Sequence, residues 1–376
     1  MANKNSNLGA AKSAKNDEFY TQYEDIEREM NAYLEYDENV FRGKTVLLPC
    51  DDPEWSNFTK YFAQNFERFG LKKLISTSYA PESKKIKAWE PTLFETEAPQ
   101  YDEDKSKTHG KIFILDSDTN GSGRIDVNDL RWEYLEGDGD FRSEEVTKLR
   151  DEADMIITNP PFSLFREFMA WLIESSKKFI IIGSQGSVGY KEIFPLIKDN
   201  RVWLGNGFHR GDAFFKVPSA GRYGNQDYFD ASNNIVHFRN CCWLTNVDHG
   251  RRHQPMRLMT MGDNIKYSKH KEIAGKGYNR YENFDAIDIP YVDAIPDDYY
   301  GTMGVPVTFL DRYCPEQYEI IGYGSGYLGQ SIGISGIPKE HKMLMAGHSA
   351  AGDLYMMVNG KPKVPYARIL IRKKQG

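Results

Sequence analysis

The ten residues ADMIITNPPF, at positions 153–162, indicate the fold of the first half of the chain. Residues 153–158 are an apolar run that predicts a buried strand. Asn159, Pro160, Pro161 and Phe162 follow it, and a helix is predicted at residues 163–174. A residue at the carboxyl end of a strand in an open α/β sheet points into the crevice where such sheets bind ligands. The stretch therefore predicts an α/β sheet with a ligand site beside Asn159.

The side chains of this stretch suit a planar ligand that carries an amino group. The Asn159 side-chain carbonyl accepts hydrogen bonds, and Pro160 holds a second carbonyl rigidly beside it. Pro161 stiffens the turn, and the Phe162 ring offers a face on which a heterocycle can stack. An ordinary strand-to-helix turn is the alternative, because Asn and Pro are common in turns and Ser163 is a good helix N-cap.

The composition is typical of a soluble globular protein with roughly two domains. The chain has 376 residues, of which 40% are hydrophobic and 27% charged. Its four cysteines form no CxxC pair, which argues against a disulfide framework and a zinc site. The polar N-terminus and the lack of any run of about 18 apolar residues predict a cytoplasmic protein that does not enter a membrane.

Strands and helices alternate as far as about residue 205, which predicts a mostly parallel sheet in residues 17–205. Residues 80–135 within this domain are charged and rich in turn formers, and they are interpreted as an insertion. Residues 1–16 are polar and are expected to be a disordered tail. Beyond residue 205, short strands separated by Gly, Asn and Pro predict a second, irregular α+β region at residues 206–376.

The first predicted strand, residues 45–50, ends in Asp51 and Asp52. Paired carboxylates at this place suit a ligand with a cationic or hydroxyl-rich part, although an Asx turn that caps the next helix is equally compatible. No GxGxxG loop follows the strand, so NAD binding is disfavoured.

Charge is distributed unevenly along the chain. Residues 201–376 carry 22 Lys and Arg against 17 Asp and Glu, a net charge of +5, whereas residues 1–200 have a net charge of −11. Basic and aromatic side chains are interleaved between residues 251 and 280, which suits a nucleic-acid backbone with adjacent bases. A solvated basic face is the commoner explanation of such a run. The candidate phosphate contacts are Arg251, Arg252, Lys266, Lys269, Lys276 and Arg280.

Residues 118–129 have the spacing of a calcium-binding loop, with Gly123 at the sixth position. The predicted ligands are Asp118, Asn120, Ser122, Asp129 and the Arg124 carbonyl. The last position holds Asp instead of the usual Glu, which predicts modest affinity and a structural role for the ion. A turn rich in Gly, Asp and Ser has the same composition and is the alternative.

Four blocks, taken together, resemble the adenine-specific DNA methyltransferases, and most closely the EcoRI-type family. They are DEFYT at residues 17–21, LPCDDP at 48–53 with SNF at 56–58, GDGDFRS at 137–143, and NPPF at 159–162. Their order resembles the gamma arrangement of amino-methyltransferases, and the match covers nearly the whole chain after the tail. The resemblance implies an S-adenosylmethionine-dependent methyltransferase (Rossmann-like) sheet with a C-terminal α+β target-recognition region.

The same resemblance implies roles for individual residues. Asn159 and the Pro160 carbonyl would hold the amine of a target adenine flipped out of double-stranded DNA, with Phe162 stacked on that base. Asp140 would bond the adenine amine of S-adenosylmethionine, and Phe141 would pack on its ring. The full set implied to bind the cofactor is Phe19, Tyr20, Thr21, Cys50, Asp51, Asp52, Asp140 and Phe141. The implied function is site-specific adenine N6 methylation, as in restriction-modification.

Two features depart from the general methyltransferase pattern. The first strand is followed by an acidic stretch instead of a Gly-rich loop, and the second strand ends near Ser78 and Tyr79 instead of in an acidic ribose ligand.

Two other functions stay open, as does the oligomeric state. A protein-glutamine N5-methyltransferase uses a similar Asn-Pro-Pro-aromatic turn, but it should not need the 214 residues that follow Phe162. A calcium-dependent binding module without catalysis is the second alternative.

Overall fold

The computed structural model describes residues 19–51, 56–80, 93–208, 212–217, 229–230, 232–345 and 349–375. Several predictions fall wholly or partly outside these ranges. They include the tail at residues 1–16, the first two residues of the DEFYT block at 17–21, the cofactor contact of Asp52, and parts of the insertion at residues 80–135 and of the region at residues 206–376.

The described residues form the following strands and helices. The strands are β1 (Tyr20–Thr21), β2 (Thr45–Leu48), β3 (Lys73–Thr77), β4 (Lys111–Leu115), β5 (Arg131–Tyr134), β6 (Met155–Thr158), β7 (Lys178–Ser184), β8 (Trp203–Leu204), β9 (Ala213–Lys216), β10 (Phe229–Asp230), β11 (Ile235–Phe238), β12 (Cys241–Thr245), β13 (Ile287–Asp288), β14 (Met303–Pro306), β15 (Tyr318–Tyr323), β16 (Met356–Val358), β17 (Lys361–Lys363) and β18 (Arg368–Lys373). The helices are α1 (Tyr23–Tyr36), α2 (Asn57–Gln64), α3 (Phe66–Phe69), α4 (Leu93–Thr96), α5 (Glu103–Thr108), α6 (Glu144–Glu152), α7 (Phe165–Ser175), α8 (Phe194–Lys198), α9 (Met261–Tyr267), α10 (Gly326–Ser331) and α11 (Lys339–Met343).

The main sheet has the order β5-β4-β3-β2-β6-β7-β12-β8, counted over the described residues. Its four central strands, β3, β2, β6 and β7, are parallel. Every residue of β2 and β6 is buried, which explains their unbroken apolar sequences, because strands covered on both faces need no polar side. From β2 the chain moves to β3 on one side and later to β6 on the other. The carboxyl ends of β2 and β6 therefore form a topological switch point.

The prediction of a mostly parallel sheet holds for this centre and not for the edges. β4 pairs antiparallel with β3 and with β5, and the loop at residues 116–130 reverses the chain between β4 and β5. On the other side β12 pairs antiparallel with β7. The fold is thus a mixed α/β arrangement around a large sheet.

Local signals place the helix that follows β2. The Ser56 hydroxyl accepts from the Phe58 amide at 3.1 Å and caps α2. The helices α2 and α3 bury one aromatic face, and Gly70, with φ of 63°, ends α3 in the left-handed conformation that glycine tolerates. The buried aromatic residues of this face are Phe58, Tyr61, Phe62, Phe66 and Phe69.

A second, smaller sheet has the order β1-β9-β11-β10. In its register Thr21 lies opposite Phe215, so the start of the described chain is a strand of this sheet. Its side chains share a hydrophobic core with the helices α1 and α2.

The chain divides into two compact units, of which the first contains residues 1–185 and 204–249 and the second contains residues 186–203 and 250–376. The predicted boundary at residue 205 separates strands that the structure places together, because β12 pairs with β7 and β9 pairs with β1. The second unit contains the sheet β13-β14-β18-β15 and the hairpin β16-β17. Within the described ranges, no helix has the length and apolar character needed to cross a membrane.

Candidate functional site

The ends of β2 and β6 bring Asp51 and Asn159 to the same edge of the main sheet. The Asp51 carboxylate is buried and accepts from the Thr158 hydroxyl at 2.6 Å and from the Ser56 hydroxyl at 2.8 Å. The LPCDDP block at residues 48–53 is thus hydrogen-bonded to Thr158, the residue that precedes the NPPF block at 159–162. This is the switch point at which a ligand site is expected.

The Asn159 side chain is held with its oxygen available. Its Nδ2 donates to the Phe19 carbonyl at 2.7 Å. Its Oδ1 is buried and has no hydrogen-bond partner among the described residues. A buried acceptor without a partner is costly and uncommon, so it calls for a ligand that donates. The Pro161 carbonyl accepts from the Leu164 amide, whereas no backbone amide within the described ranges donates to the Pro160 carbonyl.

Four aromatic rings form a wall beside Asn159. The Phe162 ring lies 5.6 Å from that of Phe19, 6.2 Å from that of Phe238 and 6.3 Å from that of Phe215, measured between centroids. Phe215 and Phe238 come from β9 and β11, and sequence analysis did not identify them as site residues. Burial alternates along β9, which marks Phe215 as an inward-facing residue, but the pattern does not reveal what it faces.

The predicted cofactor residues at the start of the described chain lie next to this wall. Asn57, at the start of α2, donates through Nδ2 to the Thr21 carbonyl at 2.8 Å. The Thr21 hydroxyl is buried and has no partner among the described residues, so it can serve a ligand. Tyr20 and Cys50 are both partly buried.

The loop at residues 137–142 is hydrogen-bonded to residues that follow β3 and precede β4. The Ala80 amide donates to the Asp138 carbonyl at 2.7 Å, and the Gly110 amide donates to the Gly137 carbonyl at 2.9 Å. Gly139 lies so close to the Ser78 carbonyl that no side chain would fit between them. This packing fixes the backbone that carries Asp140.

Asp140 and Phe141 both have partners within the protein. The Asp140 carboxylate forms two bonds with the Arg142 side chain, of 2.9 Å to Nε and 2.7 Å to Nη2. Burial raises the pKa of this carboxyl, but the hydrogen bonds and charge of Arg142 outweigh it and leave the pKa below its usual value. The Phe141 ring is buried against Phe168 and Trp171 at 5.0 and 5.7 Å. The cofactor contacts of both residues stay predictions.

The six candidate phosphate contacts of the second unit differ in exposure. Lys266, Lys269, Lys276 and Arg280 are exposed. Arg251 is partly buried, and Arg252 is buried, with its guanidinium 3.8 Å from the centre of the Trp203 ring and a hydrogen bond to Asn200. Arg252 therefore has a structural role in this unit.

The predicted calcium loop is closed by its own hydrogen bonds. The Asp129 carboxylate accepts from the amides of Thr119, Asn120 and Asp126, and that of Asp118 accepts from the amides of residues 121–123. Over the ranges that the structure covers, no group of three or more His, Cys, Asp or Glu could hold a metal ion. These bonds favour the alternative, a Gly/Asp turn, and calcium binding stays a prediction.

Comparison with known proteins gives full-length matches. The sequence model of the family described as "Adenine-specific methyltransferase EcoRI" matches residues 7–374. The chain is 38% identical to the Type II methyltransferase M.EcoRI of Escherichia coli over 98% of this chain and 96% of that protein. It is 31% identical to the Type II methyltransferase M.MpnI of Mycoplasma pneumoniae, over 97% of each chain. No solved structure gives a significant match.

Proposed function

The chain belongs to the EcoRI family of adenine-specific methyltransferases, so it is an S-adenosylmethionine-dependent DNA adenine methyltransferase, and from that premise we propose which residues perform the reaction. Asn159 and the Pro160 carbonyl bind the exocyclic amine of the target adenine. The observation that carries this proposal is the buried Asn159 Oδ1, which has no partner among the described residues.

The hydrogen bond from Asn159 to Phe19 decides which end of the amide meets the substrate. Because Nδ2 is already donating to the Phe19 carbonyl at 2.7 Å, the oxygen is directed to the ligand side. An adenine amine has two N–H donors, and the Asn159 oxygen and the Pro160 carbonyl can accept one each. Two acceptors favour a tetrahedral amine nitrogen whose lone pair is available to attack the methyl carbon. In the displacement the new carbon–nitrogen bond would replace the methyl–sulfur bond, a neutral thioether would leave, and the extra proton on the amine would pass to water. No strong base is needed.

S-adenosylmethionine supplies an electrophilic methyl group when it is bound. The residues of the chain fit this ligand, because the buried Thr21 hydroxyl offers a hydrogen-bonding group beside the Asn159 site. Tyr20 on the same strand and Asp140 on the fastened 137–142 loop would complete its binding. We infer that the main sheet is the Rossmann-like sheet of such methyltransferases.

The target base must leave the duplex to reach Asn159, since its amine takes part in base pairing. The Phe162 ring, backed by the rings of Phe19 and Phe238, provides a surface on which the flipped base can stack. The second unit would bind the DNA phosphates through the exposed Lys266, Lys269, Lys276 and Arg280, and we infer that residues 250–376 recognise the target sequence.

Family membership decides between the functions that the sequence left open. A protein-glutamine methyltransferase and a calcium-dependent binding module without catalysis would each leave the adenine-specific family match unexplained.

Replacing Asn159 with Ala tests the proposal. We expect kcat for transfer of labelled methyl groups to DNA to fall by about 100-fold or more, because the acceptor that orients the amine is removed. The Kd for S-adenosylmethionine should stay within about threefold, because Asn159 serves the other substrate. Asn246→Ala is the matched control, since both ends of the Asn246 amide are engaged with the backbone near the start of β7. It should change stability and leave kcat alone.

Retention of DNA methylation by folded Asn159→Ala protein would refute the assignment of Asn159. A large rise in the Kd for S-adenosylmethionine with unchanged kcat at saturation would instead show that Asn159 binds the cofactor.

A further inference from the structure

Asp51 is a buried carboxylate that the proposed reaction does not use. Its side chain accepts from Ser56 on Oδ1 and from Thr158 on Oδ2, and only 5% of the residue is exposed. A carboxylate that is removed from water needs such donors, and its hydrogen bonds are stronger than those between neutral groups. The 2.6 Å bond to Thr158 is in the range of a charge-assisted O–H donor.

This bond lies where the backbone pairing of the two strands has ended. The ladder between β2 and β6 pairs Val46 with Met155 and Leu47 with Ile156. Thr158 lies two residues beyond Ile156, the last residue of β6 in this ladder. On the side that faces β2, Thr158 is therefore held by its hydrogen bond to the Asp51 side chain. On the other side Thr158 still pairs with Ile181 of β7. Asp51 thus fixes the end of β6 from the side that the ladder leaves open.

Asp51 is itself held in place by its surroundings. Its backbone carbonyl accepts from the Ser76 hydroxyl of β3, and Ser56, its Oδ1 partner, is the N-cap of α2. Three strand ends and one helix start therefore share this residue. Because the Asp51 carboxylate is held in place by these contacts, its hydrogen bond also holds the Thr158 hydroxyl in place.

We propose that Asp51 is a positioning residue for Asn159, acting through the Thr158 hydroxyl, and not primarily a cofactor ligand; this inference rests on the proposed function. Thr158 immediately precedes Asn159, and the Asn159 amide is fixed at its other end by the Phe19 carbonyl. Removal of the Thr158 hydroxyl frees the turn on the β2 side. The Asn159 oxygen can then move relative to the target amine, and a displacement of about 1 Å can reduce the rate about 100-fold.

The test compares Thr158→Val with Thr158→Ser. Valine keeps the branched shape without the donor, whereas serine keeps the donor. We expect Thr158→Val to lower kcat by about 10- to 100-fold while the Kd for S-adenosylmethionine stays within about threefold. Thr158→Ser should recover most of kcat. Asp51→Asn, which keeps the side-chain shape, should lower kcat in the same direction with cofactor affinity retained.

Thr245→Val is the matched control. Thr245 is also fully buried on the main sheet, and its hydroxyl donates to the Phe179 carbonyl at 2.7 Å; among the described residues it forms no hydrogen bond with Asn159 or Thr158. This variant should lower the melting temperature and leave kcat of the folded protein unchanged. A comparable fall of kcat in Thr245→Val would show a general effect of stability and would overturn the proposal.

Two further outcomes would overturn it. Wild-type kcat in folded Asp51→Asn or Thr158→Val would show that the bond does not position the site. A more than tenfold rise in the Kd for S-adenosylmethionine in Asp51→Asn, with normal turnover at saturation, would make Asp51 a cofactor ligand. Asn159→Ala is measured in parallel, to separate these results from a failure of the proposed function. If the proposed function is wrong, Asn159→Ala stays active; if only the role of Asp51 is wrong, Asn159→Ala is inactive.

Discussion

Gly139 is the position at which a single methyl group should disturb cofactor binding. Its φ is +80°, a conformation that costs an L-residue about 1–2 kcal/mol. A Cβ at this position would overlap the Ser78 carbonyl oxygen and lie 3.2 Å from the Gly110 Cα. These are backbone atoms that follow β3 and precede β4, so they cannot rotate out of the way as a side chain would.

We expect Gly139→Ala to destabilise the protein by about 2–5 kcal/mol. The backbone conformation contributes about 1–2 kcal/mol of this, and forced displacement of packed atoms adds about 1–3 kcal/mol. Since Asp140 is the next residue, a shift of the loop also moves its carboxylate. The Kd for S-adenosylmethionine should therefore rise at least about tenfold, which corresponds to about 1.4 kcal/mol.

The assay is titration calorimetry with S-adenosylmethionine, together with urea unfolding of the same preparation. Gly137→Ala in the same loop is the control, because a Cβ there meets no atom of the described residues within 4 Å and the φ of Gly137 is not in the left-handed range. It should change stability by less than about 0.5 kcal/mol and leave Kd alone. Equal cofactor affinity in Gly139→Ala, Gly137→Ala and wild type would refute the link between this packing and the cofactor site.

Two further predictions concern regions away from Asn159. Replacing Lys266, Lys269, Lys276 and Arg280 with Gln should reduce the slope of log Kd for DNA against log salt concentration by about 0.9 for each phosphate that is no longer neutralised. Lys148→Gln, an exposed change in the first unit, should leave this slope unchanged. An unchanged slope in the quadruple variant would show that the four residues form a solvated face. Asp129→Ala should lower the melting temperature equally in EDTA and in calcium, because it removes the hydrogen bonds that close the 118–129 loop; a decrease seen only with calcium would instead support the metal site.

The sequence by itself determined the local elements that carry the site. The buried runs of β2 and β6 and the turn at residues 159–162 follow from periodicity and turn chemistry within a few residues. The same pattern located Asn159 at a strand end. The family was predictable from the resemblance of four sequence blocks, and the family model matches residues 7–374.

Only the tertiary structure decided which of these pieces touch. Asn159 is bonded to Phe19 across 140 residues of sequence, and Thr158 is bonded to Asp51 across 107. Such pairs depend on the order of strands in the sheet, which local periodicity does not contain. The same limit explains why local sequence does not identify Phe238 as part of the aromatic wall, and why it does not show that Arg252 is buried. An Arg in a basic run has the same local sequence whether it faces solvent or packs on a tryptophan ring, and only packing distinguishes the two.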